Sequence, residues 1–255
     1  MWTIRQDQTE AFRQYHLRKF EDEMVDHLQK FSPHQFIVAG EPAVRQAIRL
    51  GIENAGKYGF SDRGPVRFYI ELMFMFGGYF DSDPQHPWAA EVLTCPAIME
   101  QGSRANWLHA ATSQYLLDVI KPERPSLRQA VKERLSLPFE DTFPPEKNLE
   151  ESLISIMHVL SPPRCKYAKD EVLRTLIRQA FRKAEKFLIP SNRGRVLMAV
   201  FTIAGGHGFD RDPLYGWISI ATDHNTHSSV DERIVALAEK AQLYFGAMLI
   251  PETKD

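Results

Sequence analysis

The sequence predicts an all-α protein built of two tandem helical repeats, packed as one compact body, on three observations. Apolar residues return every three or four positions along most of the chain, few stretches alternate with the period of two that a strand needs, and the chain repeats itself at a shift of 129 positions, as from Arg45 to Arg174. The expected organisation is helical repeat one over residues 1–122, a proline-rich connector over 123–146 and helical repeat two over 147–255.

The repetition is ordered along the chain. The shift that carries Arg45 to Arg174 also carries Ile48 to Ile177, Arg49 to Arg178, Ala55 to Ala184 and Lys57 to Lys186. It then carries Phe80-Asp81 to Phe209-Asp210, Asp83-Pro84 to Asp212-Pro213 and Trp88 to Trp217. A double glycine precedes each acidic stretch, Gly77-Gly78 in one repeat and Gly205-Gly206 in the other. Repeats at one fixed period mark units that stack on one another to share a core.

In repeat one, Phe12, His16, Phe20, Met24, Leu28 and Phe31 fall on one face of a first helix, with Asp7 and Glu10 spaced as a capping box and Pro33 as its stop. Pro42 opens a second helix whose inward face is Val44, Ile48, Ile52 and Ala55, closed by Gly59. Val66 to Phe76 is apolar on nearly every side, the mark of a buried central helix, and Gly77-Gly78 stops it. A short helix from Pro84 to Leu93 follows, then one with Leu108, Ala111, Tyr115, Leu116 and Val119 on a shared face. Repeat two replays the plan at 147–160, 170–188, 195–204, 213–221 and 229–249, the last behind a Ser229 to Glu232 capping box. Pro122, Pro125, Pro138, Pro144 and Pro145 oppose regular structure between the repeats.

Composition excludes several classes. With 44% hydrophobic and 25% charged residues the 255-residue chain is an ordinary globular one. The formal charge of −2, from 31 Lys+Arg against 33 Asp+Glu, offers no global field for nucleic acid or an anionic membrane. The two cysteines, Cys95 and Cys165, form neither a disulfide framework nor a zinc spacing. The polar start and the lack of any membrane-length apolar run point to a cytoplasmic protein without a membrane span.

No catalytic, cofactor-binding or metal-binding residue is nominated. Asp81 with Asp83, and Asp210 with Asp212, are carboxylates two apart that could hold a cation or move protons, but the closing Glu and further oxygens of an EF-hand are missing. The expectation is structural: Asp83 and Asp212 cap helices begun by Pro84 and Pro213, and Trp88 and Trp217 are buried at equivalent positions. His224-Asn225-Thr226-His227 reads as a solvated loop, and Gly205-Gly206-His207-Gly208 lacks the Lys-Ser/Thr of a phosphate loop. No serine sits in a nucleophile elbow. Arg45 with Arg49, and Arg174 with Arg178, lie four apart on one helix face and could grip an anion or pair within the chain.

One further pattern concerns residues 4–93: Ile4-Arg5-Gln6-x-Gln8, Phe20, Met24, His27-Leu28, Leu72-Met73-Phe74-x-Phe76-Gly77, Phe80-Asp81-x-Asp83-Pro84 and Pro87-Trp88-Ala89. This pattern resembles all-helical bacterial proteins encoded near type VI secretion spike and effector genes. Repeat two departs from it, with Thr202-Ile203-Ala204-Gly205 in place of the Leu-Met-Phe run. The resemblance carries over no catalytic residue. It implies a non-enzymatic adaptor or chaperone whose partner is a secreted effector or spike component. The alternatives are an immunity protein against a cognate toxin and, third, an enzyme or metal-binding protein using the Asp-x-Asp-Pro loops.

Overall fold

The computed structural model describes residues 6–122 and 148–249, so the connector over 123–146 and the Ile4-Arg5 start lie outside the described residues. Twelve α-helices occur among the described residues, with no strand. They run as α1 Gln6–Phe31, α2 Pro33–Ala39, α3 Glu41–Lys57, α4 Arg63–Phe76, α5 Pro87–Leu93 and α6 Gln101–Tyr115, then α7 Leu149–Leu160, α8 Pro162–Ala168, α9 Asp170–Lys186, α10 Asn192–Ala204, α11 Trp217–Ala221 and α12 Val230–Leu249. The all-α expectation therefore holds, and none of these helices is long and apolar enough to cross a membrane.

Proline placement explains the main departure from the predicted boundaries. Pro33 does not merely stop a helix. It begins α2, and Pro162 begins α8, because a ring that fixes φ and lacks an N–H suits the first helical turn. Pro84 and Pro213 do not open long helices: α5 starts at Pro87, and Pro213 starts only the single 3₁₀ turn Pro213–Tyr215 before α11. At the end of α6 the chain widens into a π turn over Leu116–Ile120, which keeps Val119 on the buried face.

Backbone geometry repeats at the same shift as the sequence. Among the described residues the six with positive φ form three pairs separated by that shift: Gly40 (79°) and Lys169 (66°), Gly59 (77°) and Leu188 (56°), Gly77 (97°) and Gly206 (89°). The double glycines are thus one step out of register, since Gly205 has φ −101° and its counterpart is Phe76. Ion pairs recur as well. Arg45 bonds Glu21 and Asp22 at 3.1 and 2.8 Å and Arg49 bonds Glu21 at 2.8 Å; Arg174 bonds Glu150 and Glu151 at 3.4 and 2.6 Å and Arg178 bonds Glu150 at 2.9 Å.

Both halves feed one apolar core. Leu28, Val44, Ile48, Tyr69, Met73 and Phe80 are sealed in it from the first half, and Leu173, Ile177, Met198, Phe201 and Leu237 from the second. Side chains of this size contribute about 1.5–3 kcal/mol each when fully buried. The halves also exchange elements: α2 packs against α12, and α8 against the π turn that ends α6. Gln35 on α2 donates to Phe74 O at 3.0 Å and to the Tyr244 hydroxyl at 3.4 Å, while its counterpart Arg164 on α8 donates to Ile203 O and Gln85 Oε1, each at 3.4 Å. The expected face of α1 is only partly internal. Phe20, Met24 and Leu28 are buried, but Phe12, His16 and Phe31 are exposed; Phe12 and His16 lie on the N-terminal stretch, about four turns long, by which α1 outruns its counterpart α7, where no other helix among the described residues covers them.

Candidate functional site

Asp83 and Asp212 of the two acidic stretches lie inside the molecule and not at a solvent-filled cleft. A single 3₁₀ turn, Phe80–Ser82 in one half and Phe209–Arg211 in the other, turns the chain and buries its phenylalanine. That leaves Asp83 and Asp212 only 2% and 3% exposed. Each carboxylate binds an N–H two residues ahead, Gln85 N–H to Asp83 at 2.9 Å and Leu214 N–H to Asp212 at 3.0 Å. Each also reaches into the opposite half: His207 N–H donates to Asp83 and Gly78 N–H to Asp212, both at 2.7 Å. The expectation of aspartate caps is correct in kind for Asp212, which caps a 3₁₀ turn, and needs correction for Asp83, which closes a turn with no helix behind it. The sequence held no sign of the crossing bonds.

Two aspartates with matching geometry titrate in opposite directions. Burial raises the Asp83 carboxyl, but the His207 side chain, the positive field of His86 and its two N–H donors outweigh this and hold it below the usual range. At the equivalent places beside Asp212 stand Gly78 and Tyr215. There burial dominates two backbone N–H bonds, and the carboxyl rises to about 6. His86 itself is pushed down to about 4 by complete burial, opposed by Asp83. It sits in an aromatic cage against Phe76, Trp88 and Tyr115, with ring centroids at 5.0, 6.0 and 5.3 Å.

These groups oppose each other in stability. A lowered His86 means the unfolded chain takes a proton first, so its contribution is lost as pH falls from about 6.5 towards 4. A raised Asp212 means the folded chain takes a proton first, so stability is gained as pH falls through about 6. Between pH 6.5 and 5 each amounts to about 1–1.5 kcal/mol. Thermal melts over that window are expected to show Asp212→Asn weakening towards acid and His86→Phe strengthening. Parallel slopes for both variants would sink this assignment.

The other nominated residues are tied into the frame. Trp88 and Trp217 are buried, 6% and 7% exposed, each against the tyrosine of its half's last helix, Tyr115 at 5.8 Å and Tyr244 at 5.7 Å. Arg45, Arg49, Arg174 and Arg178 pair with the glutamates and aspartate already named and not with Asp81 or Asp210. The bonds from Arg49 and Arg45 carry Glu21 below the usual range, and Arg178 and Arg174 do the same for Glu150, in each case against the effect of burial. Asp81 accepts the hydroxyls of Tyr58 and Tyr69, each at 2.8 Å. Its counterpart Asp210 is instead bridged by Lys183 at 2.8 Å and Lys186 at 2.9 Å. Asp223 accepts from Asn225 and Thr226 within the exposed His224-to-His227 loop. Among the described residues no group of three or more His, Cys, Asp or Glu is placed to share a metal ion.

A depression of about 330 Å³ opens to solvent on the second half. Arg182, Lys183 and Lys186 reach it from α9, and His207, Asp210 and Arg211 from the corner after α10. Lys183 lies over the Phe209 ring at 4.3 Å and Arg211 over the Tyr79 ring at 4.4 Å. Burial lowers Lys183 against the pull of Asp210, while Lys183 and Lys186 together hold Asp210 below the usual range in spite of its burial. Sequence reasoning treated Lys186, His207 and Asp210 as separate features. It missed their convergence, because only the fold brings the corner beside the last turns of α9. No protein-family model, characterised protein or solved structure matches the chain.

Proposed function

We propose that the protein is a non-enzymatic, protein-binding accessory protein of the cytoplasm, an adaptor or chaperone for a type VI secretion effector or spike component. We further propose that its scaffold arose by internal duplication. The observation that carries the first proposal is the fate of the acidic stretches. Asp83 and Asp212, the side chains best suited to acid-base or cation chemistry, are spent on backbone N–H groups inside the seam. The polar side chains left at an open surface make a shallow basic depression, a shape that suits contact with another macromolecule better than enclosure of a small substrate. The paired positive-φ residues and the recurring arginine pairs support duplication.

Affinity-tagged protein recovered from its native cells is expected to bring down an effector or spike component at stoichiometric yield. Recovery of neither defeats the secretion assignment. Co-expression with the recovered protein separates the roles: rescued solubility or secretion marks an adaptor, and neutralised toxicity in the target compartment marks an immunity protein instead.

A further inference from the structure

The corner after α4 and the corner after α10 have the same backbone plan, yet their surfaces carry different charge. At the positions of Arg182, Lys183, Lys186 and Arg211 the first half has Glu53, Asn54, Lys57 and Ser82. Lys57 there is occupied by Asn54 at 2.7 Å and Glu53 at 3.5 Å. Both corners nevertheless make their 3₁₀ turn and bury their phenylalanine. The turn therefore does not require a cation at the positions of Arg182 and Arg211, whose counterparts are Glu53 and Ser82.

Within the depression four cationic side chains face one carboxylate. Asp210 is already shared by Lys183 and Lys186. Arg182 and Arg211 are exposed, and neither has a carboxylate partner among the described residues. Arg211 has its guanidinium carbon 4.4 Å from the centre of the Tyr79 ring, a cation–π contact that helps order it without using its N–H donors on a carboxylate. Two unpaired guanidinium forks above a fixed Lys-Asp-Lys base present paired donors of the kind that carboxylates accept in bidentate fashion.

We propose that this depression is a docking site for an acidic segment of a protein partner, with Arg182 and Arg211 binding its Asp or Glu carboxylates. The proposal rests on the protein-binding function above and names the surface that performs it. An open, shallow floor accommodates an extended peptide, whereas a free phosphate would gain more from an enclosed cradle of backbone N–H groups. The lysines act as frame: Lys183 spans Asp210, the His207 carbonyl and the Phe209 ring, so it positions the corner and is not free to follow a ligand.

The test is fluorescence anisotropy with a labelled Asp/Glu-rich decapeptide at low salt, alongside an Asn/Gln peptide of equal length, inorganic phosphate and a single-stranded oligonucleotide as competitors. The acidic peptide is expected to bind, and to weaken at least tenfold with Arg182→Glu/Arg211→Glu but not with Lys240→Glu, an exposed charge on α12. Both arginines are exposed, so an unchanged thermal midpoint shows the variant folded. Absence of peptide binding, equal binding by the double variant, or stronger competition by phosphate or oligonucleotide overturns the proposal. Tagged pull-downs keep its failure apart from that of the adaptor function. A partner recovered equally by wild type and the double variant refutes this surface and leaves the function standing. No partner from either defeats the function, while the peptide measurement still decides the surface.

Discussion

Gly77→Ala is expected to lower the free energy of unfolding by about 3–5 kcal/mol, enough to unfold a large fraction of a marginally stable protein. Two independent penalties add. Gly77 has φ 97° and ψ 153°, a combination that L side chains rarely adopt. A Cβ there would also sit 2.2 Å from Gly205 O, a backbone atom of the opposite half that cannot swing aside. A Cβ added to its counterpart Gly206 would in turn meet Phe76 O at 3.0 Å. The two backbones thus touch at the place where the halves cross. Gly56→Ala is the internal control: that residue lies in α3 with nothing within 4 Å of a new Cβ, and alanine is expected to stabilise it by about 0.5–1 kcal/mol. Urea denaturation of the three proteins checks both signs, and a Gly77→Ala midpoint within error of wild type would refute the close crossing.

Asp83→Ala ranks beside it, with an expected cost of about 3–5 kcal/mol at neutral pH. The carboxylate is buried and serves Gln85 N–H, the Gln85 side chain and His207 N–H at 2.9, 3.4 and 2.7 Å. Alanine leaves buried donors without an acceptor on both sides of the seam. Asp83→Asn keeps one oxygen and should cost less. Asp212→Asn should cost less again, because that carboxyl is already driven towards its neutral form, up to about 6, by burial. Denaturation midpoints in the order wild type, Asp212→Asn, Asp83→Asn, Asp83→Ala are the expected result. An Asp212→Asn protein weaker than Asp83→Asn at pH 7 would contradict the electrostatic asymmetry.

The sequence made the helices legible where local rules decide. Periodicity placed α3, α4, α9 and α12 within a few residues, and the Ser229–Glu232 capping box forms as expected, with both reciprocal bonds at 3.1 Å. It hid what depends on the other half. Pro33 has one chemistry whether it ends a helix or starts the next, and α2 exists because α12 offers it a surface. Phe12 matches the stripe of α1 as well as Phe20 does, yet Phe20 is buried and Phe12 is exposed among the described residues. Asp83 and Asp212 show a familiar capping position, but no pattern in a single chain announces an N–H arriving from more than a hundred residues away. The basic depression was scattered in sequence for the same reason.

The exchange of α2 against α12 also sets an order of events. Gln35 emerges early from a ribosome, but Tyr244, to which it bonds, is made 209 residues later. Asp83 likewise waits for His207, 124 positions on. A growing chain can form its individual helices at once, yet it must hold a raw apolar flank until nearly all of it has been synthesised. Contacts this distant along the chain close slowly, and the flank is exposed to wrong partners in the interval. Shielding of that flank during synthesis therefore bears directly on how much of the chain reaches its folded form.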